Sequence, residues 1–336
     1  MKKLRVAIIG CGRIAQMHFV PAAHLEESEL VAACDIKPNR VSAFAEKYNC
    51  KAYTDYIEMM DTEKPDAVHI CLPHYLHTKV AIDAFKRGIH AISEKPMDVD
   101  YASAENAVRI AKETGRLYGV IFQCRYGDAA QFVKKTLLSG RLGKIISARS
   151  TLSWTRPDSY YAESDWKGTW DKEGGGVIID QAIHSMDLTN WMIDSEVESI
   201  SVSMANRGHK TVDVEDSAEG LITYKNGVRY GFWCMNNYGC DEPIEIKLFC
   251  ENGKVTFGYN KAVINFNDGT SEEVTQKKSA AGYQGGKDYW GYQHVNQIHQ
   301  FYRACLGLEE LEISGEVALK MHKLICDIYD MGGMRP

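Results

Sequence analysis

Several function classes are excluded by what the sequence lacks. The 336 residues contain no Cys-x-x-Cys pair, no basic stripe, no internal repeat and no low-complexity tract. Without cysteines at metal-ligand spacing, no zinc finger or zinc ribbon is indicated. The 39 basic and 45 acidic residues are interspersed and give a net charge of -6, so neither nucleic acid nor a membrane is an expected partner. What remains is a globular chain, 45% apolar, long enough for two domains and expected to bind a small molecule.

Ten cysteines are scattered along the chain. Several lie inside apolar segments such as Val68–Leu72, so we interpret them as reduced, buried thiols of a cytoplasmic protein. The first residues run directly into a glycine turn without a cleavage site, and we expect no export. Cys11 lies within that turn, which leaves a redox-sensitive thiol open beside the structural interpretation.

The glycine turn joins the first apolar run to a helix-like segment. Gly10, Gly12 and Ala15 form a G-x-G-x-x-A pattern. Gly10 permits a tight turn, Gly12 lets the backbone approach a pyrophosphate, and Ala15 lets the following helix pack close to the strand. The pattern predicts a dinucleotide site, to which Arg13 and Ile14 also belong.

An acidic residue closes the second apolar strand pattern. Asp35 follows Glu29–Cys34 about 20 residues after the turn, the spacing of a ribose ligand. A carboxylate there accepts hydrogen bonds from ribose hydroxyls and repels a 2′-phosphate, which favours NAD over NADP. Two alternatives stay open: Asp35 caps the next turn, or Lys37 and Arg40 attract a phosphate.

The order of helix and strand patterns predicts two domains. Over residues 1–122, apolar strands alternate with helical segments, which indicates a parallel sheet. Over residues 123–336, a helix is followed by period-two segments and Asn-Gly turns, which indicate a largely antiparallel sheet. The predicted fold is an α/β N-terminal Rossmann domain with a parallel sheet. An α+β C-terminal domain with a large, mostly antiparallel open sheet follows it and binds the substrate.

A lysine lies at the carboxyl end of a predicted parallel strand, where ligands bind. It is Lys95, within Glu94-Lys95-Pro96. Pro96 restricts Lys95 to extended backbone geometry and so fixes the direction of its ammonium group. The alternative is a surface lysine before a turn.

A glycine run, expected to be flexible, opens a helix with one polar face. After Gly174–Gly176, the residues Asp180, His184 and Asp187 fall at i, i+4 and i+7 among apolar neighbours. His184 is a candidate proton acceptor whose tautomer Asp180 or Asp187 would set, and a structural histidine is the alternative. We predict no metal site, because no other tight His or Cys cluster completes one.

Together these motifs resemble the glucose-fructose oxidoreductase / inositol dehydrogenase family (Gfo/Idh/MocA). The family's motifs occur in order along essentially the whole chain: the glycine turn, Pro73-x-x-x-His77, Glu94-Lys95-Pro96, Gly174-Gly-Gly with Asp180-x-x-x-His184, and the segment from Ser314 to Pro336. The resemblance implies that Lys95 polarises the reacting hydroxyl, His184 takes its proton and Asp180 hydrogen-bonds the substrate. Family members usually carry Gly where this chain has Ala182, so we expect a differently shaped helix start.

The resemblance also implies ligand contacts and an assembly. The cofactor would contact Leu72, Pro73, His77, Glu94 and Lys95 in addition to the glycine turn and Asp35. Candidates for sugar or polyol contacts are Arg125, Trp154, Trp166, Asp180, His184, Tyr292 and His294. For the tryptophans, sheet packing is the alternative. A homodimer or homotetramer is expected, with the open sheet of the second domain as its interface.

The activity predicted from these features is an NAD(P)-dependent oxidoreductase. It would transfer a hydride between a nicotinamide and a secondary hydroxyl or ketone of a sugar, cyclitol or sugar derivative. A redox-assisted glycosidase or lyase that retains NAD would use the same residues and is the alternative. A third interpretation is a non-catalytic nucleotide sensor, although such a protein would have little need for Lys95 together with Asp180 and His184.

Overall fold

The computed structural model describes residues 3–276 and 293–336. The chain divides into two compact units. The first comprises Met1–Gln123 and Gly291–His322, and the second comprises Cys124–Trp290 and Lys323–Pro336. Among the described residues, no helix is long and apolar enough to cross a membrane.

The first unit is built on a parallel sheet. Its strands are β1 (Leu4–Ile9), β2 (Ser28–Cys34), β3 (Lys51–Tyr53), β4 (Ala67–Ile70), β5 (His90–Ser93) and β6 (Tyr118–Val120). In the part of the chain that is described, they form one six-stranded sheet in the order β3-β2-β1-β4-β5-β6. The order reverses between β1 and β4, which is where ligands bind in doubly wound folds. The predicted Rossmann domain is confirmed.

Helices flank this sheet. They are α1 (Ala15–His24), α2 (Pro38–Tyr48), α3 (Tyr56–Glu63), α4 (His77–Phe85) and α5 (Tyr101–Thr114). The sequence patterns did not predict β3 or α3. The reason is that β3 is an edge strand of three residues whose first two are exposed, so it shows no apolar alternation.

A helix from late in the chain completes the first unit. It is α9 (His294–Cys305), in which Ile298, Phe301 and Tyr302 are fully buried in the core cluster with β1 residues. The compact units therefore differ from the expected division at residue 123. Nothing local in the sequence indicates which sheet an amphipathic helix covers.

The second unit is built on a mostly antiparallel sheet. Its strands are β7 (Ile145–Ser153), β8 (Val197–Ala205), β9 (Ser217–Tyr224), β10 (Arg229–Met235), β11 (Glu245–Cys250), β12 (Gly253–Phe257), β13 (Lys261–Phe266) and β14 (Ser271–Thr275). The described residues form an eight-stranded sheet in the order β14-β13-β12-β11-β7-β10-β9-β8, in which only the β7–β10 pair is parallel. This confirms the predicted open antiparallel sheet, and β13 and β14 extend it beyond the prediction.

The helices of the second unit lie against one face of this sheet. They are α6 (Asp128–Leu138), α7 (Asp158–Ala162) and α8 (Ile183–Ile193), and α10 (Gly315–Gly332) ends in this unit. Both α6 and α8 contact sheet strands. The other face carries partly exposed apolar side chains, among them Leu221 and Phe249.

Candidate active site

The glycine turn follows β1 at the point where the strand order reverses. Gly10 has φ +98°, and a Cβ there would lie 2.3 Å from the carbonyl oxygen of Cys71, so only glycine fits. A Cβ at Gly12 would meet no atom within 4 Å, so the backbone of the turn is open on that side. Ala15 is fully buried where α1 begins, as its predicted packing role requires. Arg13 is exposed and Ile14 is half-buried at the helix start.

Asp35 holds the glycine turn in place. Its Oδ2 accepts a hydrogen bond of 2.8 Å from the backbone N–H of Cys11, and its Oδ1 accepts one of 2.8 Å from the N–H of Lys37. The carboxylate thus caps the next turn and also lies against the glycine turn. Burial raises the pKa of the Cys11 thiol to about 12, which keeps it protonated and supports the structural interpretation of this cysteine.

A buried histidine lies between the loops that follow β4 and β5. The Nδ1 of His77 is 2.7 Å from the carbonyl oxygen of Pro96, and its Nε2 is 2.7 Å from that of Leu72. Burial lowers the pKa of His77. The ring therefore joins the backbone beside Pro73 to the backbone that follows Lys95.

The Lys95–Pro96 bond is cis, and Lys95 is half-buried at the end of β5. The preceding Glu94 is buried, and its Oε1 accepts hydrogen bonds from the Nε2 atoms of His18 at 3.0 Å and His294 at 3.2 Å. Burial alone would raise the pKa of Glu94, but the two histidines hold it well below its usual range. Glu94 is thus an anion inside the first unit, immediately before Lys95.

The chain of hydrogen bonds continues behind His18. Its Nδ1 lies 2.8 Å from the Nδ1 of His69 on β4, and the Nε2 of His69 lies 2.8 Å from the hydroxyl of Tyr302 on α9. All three side chains are fully buried. A helix, a strand and a distant helix are therefore joined through one polar chain.

The glycine run of the second unit is tightly packed rather than flexible. A Cβ at Gly175 would lie 2.0 Å from the hydroxyl of Tyr329, and one at Gly176 would lie 1.9 Å from the carbonyl oxygen of Glu215. The Glu215 carboxylate accepts hydrogen bonds from the N–H groups of Gly176 at 2.9 Å and Ile178 at 3.0 Å, and from Tyr329 at 2.8 Å. Small residues are required because a buried carboxylate and a tyrosine hold this backbone from two sides.

The segment after the glycine run begins with a π turn over Ile178–Ala182 before α8 starts. The expected helical spacing from Asp180 to His184 is therefore wrong in detail, because a π turn is wider than an α-helical one. Within Gln181–Thr189, every residue is buried except His184, which is half-buried.

Asp180 has basic and hydroxyl partners that the sequence patterns did not reveal. Its Oδ2 accepts hydrogen bonds from Tyr160 at 3.0 Å, Lys167 at 3.2 Å and Gln181 at 2.5 Å. Burial opposes the charge of Lys167, but the neighbouring Asp180 raises the lysine's pKa. Burial and the charge of Asp180 also raise the pKa of Tyr160 to about 12. A lysine between tryptophans just before a glycine run is the only local signal that could have indicated this cluster.

Asp187 forms a buried ion pair with Arg125. The Nε of Arg125 donates to Asp187 Oδ2 at 2.8 Å, and its Nη2 donates to Oδ1 at 2.5 Å. Asp187 is 1% exposed, and burial raises its pKa. Both oxygens of the carboxylate are thus engaged by one guanidinium group, which also lies 5.4 Å from the ring of Trp191.

The remaining predicted substrate residues lie in different settings. Trp154 is buried, and its indole N–H donates to the carbonyl oxygen of Glu242 at 3.1 Å. Trp166 is half-buried, with the Lys167 ammonium 4.7 Å from its ring. His294 belongs to the Glu94 cluster in the first unit. Tyr292 lies outside the described residues.

Two family models match the chain. Residues 4–122 match a model described as an oxidoreductase family with an NAD-binding Rossmann fold. Residues 130–256 match the GFO/IDH/MocA C-terminal domain. The first match lies within the first compact unit, and the second match lies within the second unit.

The proteins to which this chain is similar include dehydrogenases. The D-glucoside 3-dehydrogenase of Escherichia coli (strain K12) is 32% identical over 247 residues, which are 67% of this chain and 68% of that protein. The myo-inositol 2-dehydrogenase of Thermotoga maritima is 25% identical over 268 residues, which are 75% of this chain and 77% of that one. The crystal structure of the WlbA dehydrogenase from Bordetella pertussis in complex with NADH and UDP-GlcNAcA superimposes with a TM-score of 0.85 and 26% identity, covering 98% and 97% of the two chains.

Proposed function

Since this chain belongs to the Gfo/Idh/MocA family of oxidoreductases, we propose that it transfers a hydride between a nicotinamide cofactor and a secondary hydroxyl or ketone of a sugar, cyclitol or sugar derivative. The observation that carries the proposal is the glycine turn. Gly10 is held against the backbone of Cys71, and the Asp35 carboxylate lies beside the turn, where a dinucleotide binds in this fold.

NAD is the proposed cofactor in preference to NADP. The Asp35 carboxylate at the end of β2 would accept hydrogen bonds from the adenosine ribose and repel a 2′-phosphate. The open side of the turn at Gly12, together with the N-terminal amides of α1, fits a pyrophosphate. Further contacts are assigned to Arg13, Ile14, Ala15, Leu72, Pro73, His77, Glu94 and Lys95.

The proposed catalytic residues are Lys95, His184 and Asp180. The ammonium of Lys95 would stabilise the negative charge that develops on the reacting oxygen, because an alkoxide forms as the proton leaves. His184 would take that proton, since histidine is the side chain most often used as a general base and this residue is half-buried rather than fully buried. Asp180, held by Lys167 and Tyr160, would accept a hydrogen bond from a second hydroxyl. The nicotinamide, when bound, supplies the hydride chemistry itself.

A polyol or sugar substrate is proposed because several hydroxyls would find several polar partners. Arg125, Trp154, Trp166, Tyr292 and His294 are the further candidates for these contacts. We also propose a homodimer or homotetramer that uses the exposed face of the eight-stranded sheet, where Leu221 and Phe249 are partly exposed. A cytoplasmic location is proposed on the basis of ten free cysteines.

The test is an assay of reduced-nicotinamide absorbance with NAD and, separately, NADP. The panel comprises cyclitols, aldoses, glycosides and nucleotide sugars. We expect formation of NADH that is abolished in Lys95→Met and lowered about 10²- to 10⁴-fold in kcat in His184→Gln. Lys86→Met and His24→Gln, both at exposed positions, are the matched controls and should keep full activity.

Each other outcome has a definite meaning. NADH formation that is unchanged in Lys95→Met would remove this lysine from the mechanism while leaving the oxidoreductase in place. Cleavage of a glycoside with NAD retained on the protein would replace hydride transfer as the net reaction. Failure to bind either dinucleotide would overturn the proposed function.

A further inference from the structure

We propose that His18, Glu94 and His294 form a binding site for a zinc ion inside the first unit. The ion itself would take no part in hydride transfer, although Glu94 is also a proposed cofactor contact and His294 a proposed substrate contact. It would join α1, the end of β5 and the start of α9 through one metal ion.

The geometry of the three side chains fits such an ion. The Nε2 atoms of His18 and His294 lie 3.0 and 3.2 Å from the Oε1 of Glu94, and the three ligand atoms all lie within 4.8 Å of one another. Around a tetrahedral zinc with bonds of about 2.0–2.1 Å, neighbouring ligand atoms are about 3.3 Å apart. The two distances to Glu94 would therefore need to lengthen by only a few tenths of an ångström.

The donor set selects zinc over the hard cations. Two imidazoles and one carboxylate are ligands that zinc accepts with a fourth, non-protein ligand. Calcium needs six to eight oxygen atoms, and magnesium keeps several waters in an octahedron. All three side chains are buried, so water would compete poorly for the ion.

The hydrogen bonds behind His18 are compatible with metal binding. If His18 binds zinc through Nε2, its Nδ1–H donates to the Nδ1 of His69, and the Nε2–H of His69 donates to the oxygen of Tyr302. Every polar atom along this chain then has a partner. Such outer partners orient a histidine ligand and strengthen its bond to the metal.

The charge of Glu94 also favours a cation. In the part of the chain that the structure describes, the ion pairs of this buried carboxylate are formed with the two histidines. A buried carboxylate is costly unless it is paired or binds a metal. A zinc ion between the three side chains would add a positive charge to the pairing that the two histidines already provide.

The sequence could not indicate this site. Residues 18, 94 and 294 are far apart along the chain, and none belongs to a pair at metal-ligand spacing. The prediction of no metal site considered only clusters that are close in sequence. The fold brings these three together because α9 packs on the same sheet as α1 and β5.

The test measures zinc binding to the full-length protein after chelation and dialysis. Isothermal titration with zinc chloride gives the affinity, and elemental analysis gives the bound zinc per chain. His18→Gln and His294→Gln keep an amide N–H that can reach Glu94 but lose the imidazole ligand. His299→Gln is the matched control, because His299 also lies on α9 and pairs with a single carboxylate, Glu27, at 2.9 Å.

We expect about one zinc per chain in the unmodified protein and in His299→Gln, and at least about tenfold weaker binding in the two ligand variants. His69→Gln, which removes the outer partner of His18, should weaken binding about 10- to 100-fold. Zinc should also raise the melting temperature of the unmodified protein. No zinc binding by the unmodified protein, or equal affinity in the ligand variants, would overturn the proposal.

Cobalt substitution keeps the proposal testable if the ligand variants do not fold. Thiolate ligands give Co²⁺ an intense sulfur-to-metal absorption, whereas imidazole and carboxylate ligands do not. The unmodified protein should show a Co²⁺ spectrum without the sulfur band, and alkylation of its exposed thiols should leave zinc binding unchanged. A sulfur band, or loss of zinc on alkylation, would assign the ion to cysteines and overturn the proposal.

Discussion

The carboxylate of Asp35 accepts a hydrogen bond of 2.8 Å from the backbone N–H of Cys11, between the two glycines of the turn. One residue is therefore both a support of the turn and the proposed ribose ligand. The two roles differ in what they need, because support needs only an acceptor oxygen, whereas exclusion of a 2′-phosphate needs a negative charge.

The substitution Asp35→Asn separates these roles. Its single side-chain oxygen can still accept from Cys11, while the charge and the exposed hydrogen bond from the N–H of Lys37 are lost, so we expect only a small fall in the melting temperature. The KM for NAD should rise about tenfold, and the preference for NAD over NADP should shrink, because hydrogen bonds to charged groups are worth roughly 1.5–3 kcal/mol. Steady-state kinetics with both cofactors measure this. An unchanged ratio of kcat/KM for the two would contradict the role assigned to Asp35.

The glycines of the turn make a second prediction, since one is required by the fold and the other only by the ligand. Gly10→Ala would place a Cβ 2.3 Å from the Cys71 carbonyl oxygen at φ +98°, so we expect a loss of stability of about 1–3 kcal/mol. Gly12→Ala would meet no atom within 4 Å, so stability should change by less than about 0.5 kcal/mol.

Cofactor binding should respond differently from stability. Gly12→Ala should bind NAD much more weakly, because its methyl group would occupy the side from which a pyrophosphate approaches. Denaturation with urea and titration with NADH, carried out on both variants, separate the two effects. Full NADH affinity in a stably folded Gly12→Ala protein would contradict the proposed cofactor site.

The Arg125–Asp187 pair makes a third prediction. Because both groups are buried, Arg125→Met should destabilise the protein by about 3–5 kcal/mol through the uncompensated charge left on Asp187. The double variant Arg125→Met/Asp187→Leu should recover most of that loss, since it removes both charges. Urea denaturation of the two single variants and the double variant measures the coupling. Additive losses would show that the pair is not a unit, and would favour a direct role of Arg125 in substrate binding.

The sequence predicted the parts of the fold that depend on local patterns. The alternation of apolar strands such as Arg5–Ile9 with helical segments was enough to predict the parallel sheet. The period-two pattern of β7 was enough to predict the antiparallel sheet, because apolar periodicity decides which face of a strand is buried. The turn at Gly10 and the acid at Asp35 were recognised for the same reason, since their spacing is fixed by one βαβ unit.

Contacts between distant parts of the chain could not be predicted. The glycine run was predicted to be flexible because the residues that hold it are distant in sequence. Glu215 comes 39 residues after Gly176, and Tyr329 comes 150 residues after Ile179. His18 and Glu94 are 76 residues apart, and Glu94 and His294 are 200 residues apart. Such clusters depend on which elements pack together, and no local pattern in a single sequence indicates that packing.

The buried carboxylate of Glu215 makes the last prediction, which concerns pH. Burial raises its pKa from the ordinary 4.5 to about 7. Between these values the native state holds more protons than the unfolded state, so the free energy of unfolding falls as the pH rises through this window. For one group the fall is about 3 kcal/mol at most, at 1.36 kcal/mol per pKa unit.

Glu215→Gln removes this titration and keeps one acceptor oxygen, so it can accept from the N–H of Gly176 or from that of Ile178 but not from both. The loss of one hydrogen bond is the same at every pH and does not affect the trend. The variant's stability relative to the unmodified protein should therefore improve as the pH rises from about 5 to about 7.5, by up to about 3 kcal/mol. Burial, and to a smaller extent the charge of Glu215, also raise the pKa of Glu173, so Glu215→Gln lessens that shift too and the measured difference includes this indirect effect of the same sign. Glu219→Gln is the control, because Glu219 lies nearby on β9 but is partly exposed, and this variant should show no such trend. If urea denaturation gives a constant difference across this range, Glu215 is ionised throughout and is stabilised as an anion by its three donors.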